Sequence, residues 1–191
     1  WEVDVRLRAA DPTIIDEAEG SVRDVIGQHI FGVDGEKLEQ HIIRSLTKRN
    51  ETLAVAESCT GGYLANRLTN VPGASSVFLA GFVTYSNESK QIALGVKPET
   101  LATHGAVSED TAREMAEGTR NRLGVTYALS TTGIAGPSGG TTDKPVGTVY
   151  IALATSSTTD VIASCNAVDR ETFKFVASQQ ALDLLRGKLM E

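Results

Sequence analysis

Cysteine is scarce in this chain of 191 residues. Cys59 and Cys165 are too few for a disulfide framework and lack the spacing of a zinc motif. The histidines are equally dispersed: His29, His41 and His104 lie far apart, with no two at metal-ligand spacing. Neither a catalytic metal nor any other cofactor is expected. No run approaches the ~18 consecutive apolar residues that a membrane span needs, and no signal-peptide pattern is present. A cytoplasmic protein with no membrane association is the expectation. Basic residues are outnumbered, 18 against 24 acidic, for a net charge of −6, and no stretch concentrates them. A dominant phosphate-backbone partner would demand such a stretch, so nucleic acid is not an expected partner.

What is present suits a mid-sized globular domain with a small appendage. Hydrophobic residues make up 41% of the chain, and a domain of ~150 residues buries roughly 70% of its unfolded surface without staples. The opening Trp1-Glu2-Val3-Asp4-Val5-Arg6-Leu7-Arg8 alternates like a strand and has no initiator Met before it. This reads as a fragment of a longer protein. After a strand over 2–9, Asp11 caps a helix with Pro12 at its first position and Ile14, Ile15, Ala18, Val22, Val25 and Ile26 inward. Such a unit cannot bury its own apolar face and is expected to pack on a part further upstream. A second helix, 35–48, carries Leu38, Ile42, Ile43 and Leu46 at helical spacing. The domain boundary is placed near Val33-Asp34-Gly35, dividing the chain into 1–33 and 34–191.

Beyond that boundary, strand-like runs at 52–56, 77–84, 125–131, 147–155 and 160–166 alternate with helical patterns. These lie at about 61–70, 87–94, 98–103, 108–123 and 170–189. The alternation predicts a layered α/β fold with helices on both faces of a sheet. The short Ser-Ser-Thr-Thr connection between the last two strands predicts an antiparallel pair, so the sheet should be mixed.

Four segments could carry chemistry. Glu57-Ser58-Cys59-Thr60-Gly61-Gly62 joins a strand to a helix, where α/β proteins place ligands. Amides at a helix start can hold an anion or an oxyanion, and the glycines admit close approach. Ser58 or Thr60 could equally be a plain helix cap, and Cys59 competes with Ser58 as nucleophile. Pattern alone does not choose between them. Thr84-Tyr85-Ser86-Asn87-Glu88-Ser89-Lys90 puts Lys90 in the first turn of a helix, where the macrodipole and burial both favour a neutral amine. A neutral lysine can serve as a base, and a solvated surface lysine is the plain alternative.

The third segment, 131–147, holds five glycines and two prolines between two strands. Its amides and hydroxyls, with Lys144 as a point charge, would suit a phosphate, or it is a flexible surface loop. It has neither a P-loop nor a dinucleotide fingerprint, so ATP and NAD are not indicated. The fourth, Asp169-Arg170-Glu171, opens the last helix with a good cap and acid, but Arg170 opposes the dipole. It could point at an anion or form a surface salt bridge.

Together these segments resemble the CinA C-terminal family, the nicotinamide mononucleotide deamidases. The resemblance is carried by AESCTGG at 56–62, GFVTYSNESK at 81–90, HGAVSE at 104–109, STTGIAGPSGG at 130–140, KPVGTVYIAL at 144–153 and DRE at 169–171. It runs from about residue 36 to the end. VRLRA and HIFGVDGEKLE, earlier in the chain, look like the end of the middle domain of full-length CinA, so residues 1–33 would be the last part of that domain.

The resemblance implies a three-layer α/β/α amidohydrolase domain over 34–191. It would act in pyridine nucleotide salvage, deamidating nicotinamide mononucleotide to nicotinic acid mononucleotide and ammonia. Carried over by motif, Ser58 is the nucleophile, Lys90 its base and Tyr85 an aid to proton transfer or to orienting the lysine. Thr60, Gly61, Gly62, Gly133, Ala135, Gly136 and Arg170 fall at substrate-binding positions. A homodimer and contact with upstream CinA domains are implied as well. One position departs from the family: Val168 stands where its pattern has glycine before Asp-Arg. The competing expectation is a non-catalytic nucleotide- or phosphate-binding module, or an interaction module of the competence and recombination machinery.

Overall fold

The computed structural model describes residues 2–190. Its helices are α1 (Pro12–Ile26), α2 (Leu38–Arg49), α3 (Tyr63–Thr69), α4 (Asn87–Leu94), α5 (Pro98–His104), α6 (Glu109–Leu123) and α7 (Arg170–Leu189). The strands are β1 (Leu53–Glu57), β2 (Phe78–Val83), β3 (Tyr127–Gly133), β4 (Thr148–Ala154) and β5 (Thr159–Cys165). They form one sheet in the order β2-β1-β3-β4-β5. β1 runs parallel to β2 and β3, while β4 is antiparallel to β3 and β5. This is the expected mixed sheet, with the final strand pair antiparallel.

Side-chain alternation along β1 explains the layers. Leu53 and Val55 join the core shared with α2, α3 and α7, whereas Ala54 and Ala56 face α4 and α6. With both faces covered, every residue of β1 is buried, as a central strand requires. The alanines on the second face let α6 lie close to the sheet. Close approach continues at Gly118, where a Cβ would lie 1.8 Å from the Leu94 carbonyl oxygen, so only glycine lets α6 pass the end of α4.

The topology gathers the four chemistry-bearing segments at one edge. The carboxyl ends of parallel β1, β2 and β3 lie together, and antiparallel β4 begins and β5 ends at the same edge. Connections leave neighbouring β1 and β2 on opposite faces, α3 on one and α4 on the other. A crevice opens where adjacent strands part in this way.

The first residues differ from expectation. Residues 2–9 adopt no strand; an extended segment needs a neighbour to take its backbone hydrogen bonds, and none of the five strands lies beside it. Trp1 falls outside the described residues. Helix α1 forms as read, with the Asp11 side chain accepting from Thr13 N–H and Pro12 in its first turn. Ile15, Ala18, Val22 and Ile26 are half-buried, Ile14 and Val25 are exposed, and no α1 residue is fully buried. Helix α2 starts at Leu38, three residues later than expected, because Asp34 and Gly35 adopt positive φ in a turn. Among the described residues no helix is long and apolar enough to cross a membrane.

Candidate active site

Alternation along β1 carries on past its end. Glu57 points with Leu53 and Val55 toward α3, and Ser58 points to the opposite face, toward α4. The Ser58 N–H donates to the Thr131 carbonyl at 2.9 Å, extending the β1–β3 ladder by one residue. On the α4 side, Ser86 caps the helix by accepting from Ser89 N–H, which fixes the turn from which Lys90 projects. The Lys90 side chain crosses under the β2–α4 turn and is 1% exposed. Its Nζ lies 3.1 Å from Ser58 Oγ, 2.8 Å from the Thr84 carbonyl oxygen and 3.4 Å from that of Tyr85.

The chemistry follows from that donor and acceptor set. Carbonyl oxygens only accept, so a neutral amine gives its two N–H bonds to Thr84 and Tyr85. Its lone pair then faces the Ser58 hydroxyl, which donates. Burial favours this neutral form and holds the Lys90 pKa below its ordinary value. The separation is within the reach required of a general base.

Cys59, the other candidate nucleophile, turns the opposite way. It is 5% exposed within the α2–α3–α7 core, and burial pushes its thiol up to about 12. A buried thiol of that basicity supplies no thiolate near neutral pH.

Glu57 gave no signal beyond its place in the motif, yet it shapes the turn. It is fully buried, and its carboxylate accepts from the amides of Gly62 (2.9 Å), Leu64 (3.0 Å) and Ala65 (2.8 Å). It thereby fills the start of α3 with a protein anion. Gly61 and Gly62, at φ +60° and +92°, make the reversal that lets a residue just before the helix reach back to cap it. Glu57→Gln retains one acceptor oxygen and turns an NH2 group toward amide donors. The expected loss is about 2–3 kcal/mol of stability, read as a lower urea midpoint at unchanged slope.

The remaining positions separate into those that border the Ser58–Lys90 pair and those that pack. Thr60 is buried, its hydroxyl 2.7 Å from that of Thr131. The amides of Gly61, Gly62 and Tyr63 already donate to Ser58 O, Glu57 and Thr60 O. Gly133 lies where β3 meets β4, and a Cβ there would sit 2.6 Å from the Thr148 carbonyl oxygen. The Ala135 methyl belongs to the core. The Gly136 carbonyl accepts from Arg170 at 2.9 Å, and a second Arg170 nitrogen donates to the Tyr85 hydroxyl, also at 2.9 Å. Arg170 therefore ties the 134–147 loop to the β2–α4 turn. Tyr85 meets Lys90 through its carbonyl, with its phenol turned to Arg170.

Lys144 donates to the His104 carbonyl at 2.8 Å, at the end of α5. At Val168 the backbone does not need a glycine: φ stays out of the left-handed region, and Asp169 still caps α7 by accepting from the Glu171 and Thr172 amides.

The family model of the CinA C-terminal domain matches residues 35–189. A competence-damage inducible protein from Caldanaerobacter subterraneus is 49% identical over 176 residues, 92% of this chain and 43% of that protein. A CinA-like protein from Acidobacterium capsulatum is 44% identical over 92% of this chain and 42% of its own length. The chain thus spans less than half the length of these relatives. Among solved structures, competence damage-inducible protein A from Klebsiella pneumoniae superposes with TM-score 0.78 at 39% identity, over 81% of this chain and 96% of that one. The competence/damage inducible protein CihA from Agrobacterium tumefaciens gives 0.77 at 39% identity, over 85% and 99%. The fold is therefore shared with solved relatives nearly in full, and this chain belongs to the CinA family and carries its C-terminal domain.

Proposed function

We propose that this domain is a serine amidohydrolase that converts nicotinamide mononucleotide to nicotinic acid mononucleotide and ammonia. The observation that carries the reading is a half-buried serine hydroxyl 3.1 Å from the amine of a lysine buried to 1% exposure. The relatives' names refer to competence and damage and specify no reaction, so the substrate rests on the motif resemblance.

Neutral Lys90 takes the Ser58 proton as Oγ attacks the carboxamide carbon. The oxyanion meets the amides of residues 59 and 60, which directly follow the nucleophile and, among the described residues, donate to no backbone carbonyl. Collapse breaks the C–N bond, and protonated Lys90 returns its proton to the departing ammonia. Water, deprotonated by Lys90, then attacks the Ser58 ester; as the C–O bond breaks, protonated Lys90 returns its proton to Ser58 Oγ and the acid product leaves as its carboxylate. The pyridinium charge makes the carbonyl carbon more electrophilic. Arg170, bridging the loop and the turn, holds the two walls of the cleft at fixed spacing.

The test is ammonia release from nicotinamide mononucleotide by the unmodified chain, with the acid nucleotide formed in equal amount. Cys59→Ala is expected to retain that release, because its thiol faces the core. A folded chain that releases no ammonia would overturn the reading.

A further inference from the structure

Nicotinamide mononucleotide carries its carboxamide and its phosphate at opposite ends, so the phosphate must meet its cation away from Ser58. Three features that could have held it are already occupied. The start of α3 is filled by the Glu57 carboxylate, which would repel a second anion. Lys144 is engaged with the His104 carbonyl. Arg170 gives two of its nitrogens to Gly136 and Tyr85.

Lys174 is different. It is half-buried one turn beyond Arg170 on α7, and its Nζ lies 3.8 Å from where a Cβ on Gly61 would stand. The same ammonium sits 5.8 Å from the centre of the Tyr63 ring. Among the described residues no carboxylate forms an ion pair with it. Two cations spaced i, i+4 repel each other, and the early turns of a helix disfavour them further. A bound anion relieves both costs. Gly61, lacking a side chain, lets the ammonium lie against the turn that starts at Ser58.

We infer that Lys174 binds the phosphomonoester of the substrate across the Gly61–Gly62 turn from Ser58, while Arg170 positions the cleft walls. The substrate's identity here rests on the deamidase reading; the placement of an unpaired cation beside the nucleophile's turn does not. Lys174 thereby sets selectivity for the phosphorylated nucleotide over the riboside.

The experiment uses the full chain with Ser58→Ala, so that ligand is not consumed, and calorimetric titration with nicotinamide mononucleotide and with nicotinamide riboside. The mononucleotide is expected to bind more tightly. Adding Lys174→Ala should shrink the ratio of the two affinities toward one, by about 10- to 100-fold, and Lys174→Arg should restore it. Equal weakening of both ligands would mark Lys174 as merely structural and overturn the inference. So would an unchanged ratio, or equal binding of the two ligands before Lys174 is altered.

Ammonia release by the unmodified chain is read separately. Release with an unchanged affinity ratio in Lys174→Ala sinks the phosphate site alone. No release sinks the deamidase reading, and a collapsed ratio then still supports the phosphate site.

Discussion

Lys90→Met is expected to lower ammonia release at least about a thousandfold, a loss of the size seen when one member of a nucleophile–base unit is removed. Methionine matches the stem of lysine in volume, so the packing of α4 against α6 survives while the base is lost. The same lysine dictates a pH profile. Only its neutral form accepts the Ser58 proton, so turnover should climb as pH rises through a Lys90 pKa lowered from 10.5 by burial, and then level off.

Stability follows with a sign that can be worked out. Between the lowered folded pKa and the unfolded value, the unfolded chain binds more protons, so stability rises with pH across that window. Cys59 acts in the opposite sense. Its folded pKa is raised from 9.0 to about 12, so unfolding releases a proton in that range and stability falls as pH increases. Comparing urea unfolding of the unmodified chain and Lys90→Met removes the part of the Cys59 contribution that comes from burial, its largest cause, and leaves only its smaller coupling to Lys90. The difference between the two curves should show the rise in the unmodified chain alone. A flat difference, or a variant that retains turnover, would remove Lys90 as the base.

Arg67→Ala is expected to cost about 3–5 kcal/mol, the range for removing one partner of a buried ion pair. Arg67 projects from α3 and is 6% exposed. Its guanidinium reaches Glu39 on α2 at 2.7 Å, and Ser178 and Gln179 on α7 at 2.8 and 2.7 Å. The Phe175 ring lies 5.2 Å away. One side chain thus ties together the three helices on the face where Glu57 caps α3. Truncation strands the Glu39 carboxylate, 9% exposed, which forms no other ion pair among the described residues. Replacing both charges, with Arg67→Met and Glu39→Leu, should recover much of the loss, because the uncompensated charge goes with its partner. Chemical denaturation of the two variants checks this; equal losses in both would show that packing, and not the buried charge, sets the cost.

Arg67 could not have been singled out from the sequence. It reads as one more solvated cation on a short helix, and only the docking of α2 and α7 around it makes it buried. Lys174 gave no signal for the same reason, since its neighbours Gly61 and Tyr63 come from a distant segment; Glu57 stood in a candidate segment, but its capping role depends on a turn that a local pattern does not specify. By contrast, β1, α6 and α7 were legible within a residue or two, because burial on one face or two leaves a local period. The strand expected over 2–9 shows the limit of that signal, since alternation describes a face and says nothing of a neighbour to pair with.

The sequence by itself determined the α/β alternation, the antiparallel final strand pair and, through the order of its motifs, the family. Local periodicity and turn chemistry suffice for those, because each depends on residues adjacent in the chain. Only the tertiary structure sets Ser58 apart from Cys59, placing one beside Lys90 and the other in the core. Two neighbours at a strand's end face opposite sides of the sheet, and which side holds the lysine depends on where α4 packs. By burying Lys90 against the Thr84 and Tyr85 carbonyls, that packing brings the amine of a surface-type residue within hydrogen-bond reach of one serine.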